Sequence, residues 1–307
     1  MKAIWVLENI KTSDFSMSEI DLMCLIASVA NWKTLHPESK RHLYCDLSVY
    51  RYLDNLEILF LWNYIDTDLL ETEDLINRKA FWAASKIKCI ESIPTPFVLV
   101  DCDLYLKTNK LNLMDLSKFK IVVNQIEECN GVYPNRRDPI LKDLINENQD
   151  LIQYKTTHAA NVSFLYLGNE KFKRHYAEMA YSWMERLSIE NPDNPGLNGK
   201  YMIFCEQKLL KELADFYQYE VASLSDRFVV RENRSFEKLS DLYPCFHLEE
   251  DLDYVHLHTK KREVLTNEKL FMDIKSDIIN SIVKLNSFPT KLLHSCILKN
   301  KTIGPLL

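Results

Sequence analysis

Glycine is scarce in this chain, with five residues among 307, against about 7% of residues in ordinary proteins. No G-x-G-x-x-G and no G-x-x-x-x-G-K-[ST] occurs, so the usual glycine-built dinucleotide and phosphate loops have no support. A basic excess is also missing. The net charge of −6 argues against a nucleic-acid partner, because such binders usually carry a basic face. There is no apolar run of about 18 residues, the length a membrane-spanning helix needs. The opening segment Met1-Lys2-Ala3-Ile4-Trp5-Val6-Leu7-Glu8 is too short an apolar run for a signal peptide. Nor is there a C-x-x-C. Cys24, Cys45, Cys89, Cys102, Cys129, Cys205, Cys245 and Cys296 are widely scattered and read as reduced thiols, mostly buried, rather than a disulfide or zinc framework. These absences point to a soluble, cytoplasmic protein.

What is present is a core-forming sequence. Hydrophobic residues make up 47% of the chain, far from the composition of disorder. Ala3 to Leu7 reads as an opening buried strand. Ser18 to Trp32 has apolar residues at helical spacing, with Ser18 as its cap. His42 to Asp46 reads as a strand, Ser48 to Leu53 as a short helix, Glu57 to Trp62 as a strand and Asn77 to Ile93 as a helix stopped by Pro94. Phe97 to Leu106 is one apolar run interrupted only by Asp101-Cys102-Asp103, and predicts a central strand buried on both faces. Strands at 121–124 and 160–167 follow, with helices over 138–146, 170–187 and 202–216. Val255 to His258 reads as a short strand leading to Lys260-Lys261-Arg262, and Asn267 to Leu285 as a C-terminal helix. Trp5, Trp32, Trp82 and Trp183 fit the core stripes. Alternating strands and helices predict an α/β fold with a mostly parallel sheet. Ligands of such sheets bind beyond the carboxyl ends of the strands, where Asp46, Asp101 and Asp103 are expected.

Asp101 and Asp103 are two residues apart, so at a strand end both carboxylates face the same way. Two such groups repel unless a cation joins them. Hard oxygen ligands suit Mg²⁺ or Mn²⁺, ions that commonly bridge to substrate phosphates. Asp-x-Asp alone is a weak signal. Asp66-Thr67-Asp68 and Asp251-Leu252-Asp253 match it too, but in polar segments.

Phe81-Trp82-Ala83-Ala84-Ser85-Lys86 followed by Pro96-Phe97-Val98-Leu99-Val100-Asp101-Cys102-Asp103-Leu104-Tyr105-Leu106 resembles the glycosyltransferases of the GT-A (Rossmann-like) fold. In them a helix bearing a lysine or arginine precedes a hydrophobic strand that ends in Asp-x-Asp. Ala160-Asn161-Val162-Ser163-Phe164 resembles their later Asn-x-Gly strand, with Ser163 where glycine is usual. Cys205-Glu206-Gln207 resembles their acid-plus-glutamine helix, and His256-Leu257-His258-Thr259-Lys260-Lys261 resembles their C-terminal His…Lys element. The usual glycine of that element is missing here.

The resemblance implies a metal-dependent transfer of a sugar from a nucleotide-diphosphate donor, UDP by default, to an acceptor hydroxyl. It implies Asp103 as a metal ligand and Asp101 as a ligand of the metal or of the donor ribose. His258 or His256 would complete the metal shell, Lys260 or Lys261 would meet the diphosphate, and Asn161 would position the donor sugar. Lys86 and Gln207 fall among its donor-binding residues, and Glu206 is the candidate base if the reaction inverts. The family body covers residues 1–262, with 263–307 as a C-terminal helical extension that caps the domain or pairs with another chain. Bland readings stand beside these: Lys86 as a snorkelling helix lysine, Glu206 as an acid near a helix start, Lys260 to Arg262 as a solvated loop. A nucleotidyltransferase also uses paired carboxylates, but Glu8-Asn9-Ile10-Lys11-Thr12 lacks its glycine-rich loop. A noncatalytic protein on a degenerate transferase fold is the reading from another class.

Overall fold

The computed structural model describes residues 1–10, 14–71, 75–108, 115–129, 133–134, 137–152, 156–190, 195–224, 254–257 and 266–303. Seven strands form a mixed, mostly parallel sheet in the order β3 (Tyr64–Asp66), β2 (Lys40–Cys45), β1 (Lys2–Leu7), β4 (Phe97–Val100), β7 (His158–Leu167), β6 (Ile121–Glu128), β8 (Val221–Ser223), and β5 (Leu104–Leu106) pairs with β9 (Tyr254–His256) in a separate two-stranded sheet. The chain divides into two compact units, residues 1–68, 99–114 and 243–307 forming one and residues 69–98 and 115–242 the other.

In the first unit, β1 (Lys2–Leu7), β2 (Lys40–Cys45) and β3 (Tyr64–Asp66) run parallel, with Lys2 opposite Lys40 and His42 opposite Tyr64. Helix α1 (Glu19–Leu35) is buried continuously from Leu22 to Trp32, as an element apolar on all sides must be. The Ser18 hydroxyl caps it, accepting from Asp21 N–H at 3.1 Å, as its sequence predicts. Helix α2 (Leu47–Asn55) begins at Asp46, whose carboxylate accepts from the N–H groups of Ser48 and Val49.

The strand expected over 57–62 is not there; a 3₁₀ turn covers Leu59–Leu61 and the strand begins at Tyr64. The reason lies at the end of α2. Glu57 takes a left-handed φ of 59°, the Glu57 N–H donates to Asp54 O at 2.8 Å and the Ile58 N–H to Leu53 O at 3.2 Å. This Schellman closure turns the chain back before an extended segment can start.

The expected central strand over 97–106 is two strands, β4 (Phe97–Val100) and β5 (Leu104–Leu106). A turn closed by Leu104 N–H donating to Asp101 O at 3.1 Å separates them. β5 pairs antiparallel with β9 (Tyr254–His256), Leu104 facing His256. The C-terminal region contains α8 (Glu268–Leu285), capped by Asn267, and a second helix not read from sequence, α9 (Thr290–Ile303). Helix α8 packs on α1.

In the second unit, β6 (Ile121–Glu128) pairs antiparallel with β7 (His158–Leu167) and parallel with β8 (Val221–Ser223), with a register shift between Val123 and Gln125. Helix α3 spans Ala84–Ser92, shorter than the expected 77–93. Its upstream residues form turns in which the Ala80 and Phe81 N–H groups both donate to Asn77 O at 2.9 Å. Trp82 there is 45% exposed, which corrects its assignment to the core; Trp5, Trp32 and Trp183 are buried as expected. Helices α4 (Pro139–Glu147) and α5 (Glu170–Glu190) follow. The expected 202–216 helix is α6 (Pro195–Ile203), a π-helical segment (Phe204–Lys208) and α7 (Leu209–Phe216) in unbroken succession.

Candidate functional site

The β4–β5 turn gives Asp101 and Asp103 their places, and the β5–β9 ladder brings in the third group. Leu257 N–H donates to Asp103 O at 3.1 Å, so β9 runs directly alongside the turn. His256 Nε2 then lies 3.5 Å from Asp103 Oδ1. One ligand atom from each of Asp101, Asp103 and His256 lies within 4.8 Å of the others. Asp103 is 7% exposed and His256 2%. Behind the turn, Ser28 on α1 accepts from Trp5 Nε1 at 2.9 Å and reaches Asp101 O at 3.4 Å.

Two carboxylate oxygens and an imidazole nitrogen at this spacing fit a hard or borderline divalent cation, whose bonds to oxygen run about 2.1 Å for Mg²⁺. Burial strengthens the case: carboxylates gathered away from water are costly without a compensating cation or donors. His258, Lys260 and Lys261, also expected at this element, lie outside the described residues. Of the other Asp-x-Asp triplets, Asp66 and Asp68 sit at an exposed strand end, where they bond Tyr64 and each other's segment. Asp251 and Asp253 lie outside the described residues.

The second unit holds another cluster. Lys86 Nζ on α3 donates to Glu206 Oε1 at 2.9 Å, with the Glu206 side chain 6% exposed. Glu206 and Gln207 both lie on the π-helical segment, so neither sits at a helix start. Single π-turns within helices frequently mark functional sites, because the extra residue re-aims the side chains around it.

Several bonds hold this one. Tyr176 Oη donates to Glu206 O at 2.6 Å; burial first, and then the Glu206 charge, keeps that phenol well above its ordinary pKa and therefore a donor. The 1%-exposed Lys208 donates to Thr156 O at 2.6 Å and pairs with Glu212 at 3.4 Å. Tyr133 Oη lies 2.9 Å from Glu127 Oε1 and 3.0 Å from Gln207 Oε1. Sequence reading missed Glu127 and Tyr133. Tyr133-Pro134 reads there only as a loop, and an i→i+5 turn leaves no compositional trace.

Asn161 on β7 is 2% exposed. Its Oδ1 accepts from Ser163 N–H at 3.1 Å and from Asn124 Nδ2 at 3.4 Å. Next to it on β6, opposite in register, is Gln125. Both amide atoms of Gln125, together with Asn124 Oδ1 and Ser163 Oγ, are buried with no hydrogen-bond partner among the described residues. Ser163 stands where the resemblance leads one to expect glycine, and it adds a hydroxyl to this wall. Buried polar atoms are rarely left unsatisfied in native proteins; water or a polar ligand would satisfy these.

The seven described cysteines form no disulfide with one another, Cys102 and Cys129 being half-buried and the others buried. No helix among the described residues is long and apolar enough to cross a membrane.

The family described as a family of unknown function, DUF6734, matches residues 4–286. No curated protein matches the chain. Solved structures that resemble it include the galactosyltransferase LgtC in complex with donor and acceptor sugar analogs, at 11% identity and TM-score 0.43 over 96% of this chain and 100% of that one. Mouse xyloside xylosyltransferase 1, apo form, matches at 12% identity and TM-score 0.37 over 73% of this chain and 86% of that one. A glycosyltransferase involved in glycosylation of the major capsid of PBCV-1 matches at 16% identity and TM-score 0.34 over 88% of this chain and 98% of that one. At these identities and scores the likeness carries no functional conclusion.

Proposed function

The chain belongs to the DUF6734 family, and we propose that it is a metal-dependent glycosyltransferase of the GT-A type that moves a sugar from a nucleotide-diphosphate donor, a UDP-sugar by default, to an acceptor hydroxyl. The observation that carries this reading is the convergence of Asp101, Asp103 and His256 within 4.8 Å. Of the two Asp-x-Asp triplets within the described residues, only this one belongs to a group of three potential metal-ligating side chains.

Asp103 and His256 are the proposed ligands of Mn²⁺ or Mg²⁺, with Asp101 holding the same ion or the donor ribose. His258 is the alternative nitrogen ligand by sequence, and Lys260 and Lys261 are the proposed partners of the diphosphate. Bound there, the ion supplies positive charge against which a nucleoside diphosphate can leave.

In the second unit, Lys86, Asn161 and Gln207 are the proposed contacts to the donor. The Gln125, Asn124 and Ser163 atoms that lack a partner among the described residues support a wall that hydrogen-bonds sugar hydroxyls. Glu206 is the proposed base for an inverting transfer, with Lys86 at 2.9 Å holding its carboxylate in place. We take residues 1–262 as the transferase body and 263–307 as its extension. A reducing compartment, the cytoplasm, is the proposed setting, supported by the absence of a disulfide among the seven described cysteines.

The test is release of UDP from a panel of UDP-sugars with Mn²⁺ or with chelator. The wild-type chain should require the metal, and Asp103→Ala should lose turnover by at least about 100-fold, since even residues behind metal ligands can cost 10–100-fold. No turnover of any UDP-sugar by the wild type, or full metal-dependent turnover by Asp103→Ala, would refute the proposal.

A further inference from the structure

The Tyr133 phenol poses an accounting problem. Its oxygen lies 2.9 Å from one oxygen of Glu127 and 3.0 Å from the atom placed as Gln207 Oε1. Tyr133 is 7% exposed, Gln207 7% and Glu127 0%. A phenol has one hydrogen to donate, a carboxylate only accepts, and an amide both donates and accepts. The single hydrogen cannot serve two acceptors.

The carboxylate makes the stronger claim on it, because hydrogen bonds to a charged acceptor are roughly twice as strong as neutral ones. Gln207 must then meet the phenol oxygen with its amide nitrogen. The oxygen and nitrogen ends of a glutamine amide have nearly the same shape, and their assignment rests on the surrounding network. In that network Gln207 donates Nε2–H to Tyr133 Oη, and Tyr133 donates to Glu127.

We infer that Glu127 and Tyr133 are positioning residues that fix the Gln207 amide with its carbonyl oxygen directed away from Tyr133. This rests on the transferase reading for its functional consequence. Gln207, next to Glu206 on the π-helical segment, then offers the donor sugar an acceptor rather than an NH₂. The group it selects is a hydroxyl, which can donate. A substituent at that position that can only accept is discriminated against.

The orientation comes from a chain of three side chains drawn from β6, the loop after it and the π segment. Two of these, Glu127 and Tyr133, would not have to touch the substrate.

The test reads the amide directly and does not depend on turnover. Nitrogen-15 spectra of the full-length protein, with Gln207→Glu used to assign the signal, give the exchange rate of the Gln207 side-chain NH₂. One of its protons should exchange at least about tenfold more slowly than those of exposed glutamines, as a hydrogen-bonded amide does. Tyr133→Phe keeps the ring but removes the oxygen, and should release that protection. Exchange at the surface rate in the wild type, or protection that survives Tyr133→Phe, would overturn the inference.

Steady-state turnover then reads the consequence. Tyr133→Phe should lower kcat about tenfold while the donor KM stays within about twofold, the pattern of a misaligned group rather than a lost binding contact. A protected amide in a wild-type chain that turns over no UDP-sugar would leave the orientation standing and refute the transferase reading instead. Equal kcat in Tyr133→Phe and wild type would refute the positioning role.

Discussion

At the β4–β5 turn, two carboxylates and an imidazole are gathered into one small volume. On the π segment, a carboxylate is gathered with an ammonium, Glu206 with Lys86. The first cluster concentrates charge of one sign and suits an added cation. The second is close to neutral as built and suits a polar, uncharged ligand. The difference follows from how each is held. The β4–β5 turn holds together two carboxylates that repel, and backbone pairing between β5 and β9 adds the imidazole, whereas the second cluster is held by attractions among its own side chains. Similar substitutions of a carboxylate should therefore have opposite consequences in the two places.

The largest expected effect is on metal. Asp103→Asn should weaken Mn²⁺ binding by at least about 100-fold in a calorimetric titration. It should leave the metal-free protein as stable as wild type or more so, because a repulsion between neighbouring carboxylates is relieved.

Glu206→Gln should do the reverse. Metal affinity should be unchanged, while urea unfolding should show a loss of about 2 kcal/mol, since the half-enclosed Lys86 loses its charged bond to Glu206. Equal stability losses in the two variants would erase the distinction between the clusters.

The smallest effect concerns the frame. The chain ends α2, α7 and α8 with Glu57, Gln218 and Asn286 at φ of 59°, 56° and 48°, all positions that favour glycine. Gln218 closes α7 with its N–H donating to Asp215 O at 3.0 Å and the Tyr219 N–H to Ala214 O at 2.8 Å. Gln218→Gly should raise the unfolding free energy by about 1 kcal/mol by removing the left-handed penalty. Both clusters should be untouched, with metal affinity and donor turnover as in the wild type.

Much of this organisation is legible in the sequence, and the parts that are not share a cause. Period discloses α1, α2 and the C-terminal helix, and Ser18 discloses the start of α1 as a short polar residue ahead of an apolar-periodic segment; the caps Asp46 and Asn267 are seen only in the structure. Asp101 and Asp103 stand out because they interrupt an apolar run. The break between β4 and β5 is hidden, since Val100 and Leu104 are equally apolar and only a hydrogen bond from Leu104 N–H to Asp101 O distinguishes a turn from a continued strand.

The false strand at 57–62 has the same origin. Glycine scarcity leaves Glu57 to make a left-handed turn that no glycine announces. His256 was one of two histidines the sequence offered, and the ladder register, with His256 opposite Leu104, is what brings it beside Asp103. Tyr133 and Glu127 could not be read at all. Their meeting with Gln207 depends on a π turn and a loop, both set by tertiary packing rather than local pattern.

The proposed metal site turns on His256 being a ligand of the ion that Asp103 holds. Pulsed electron paramagnetic resonance of the protein loaded with one equivalent of Mn²⁺ measures this directly, through coupling to a bound imidazole nitrogen. One such nitrogen is expected in the wild type, retained in His258→Ala and lost in His256→Ala. Absence of nitrogen coupling in the wild type, or its survival in His256→Ala, would contradict it.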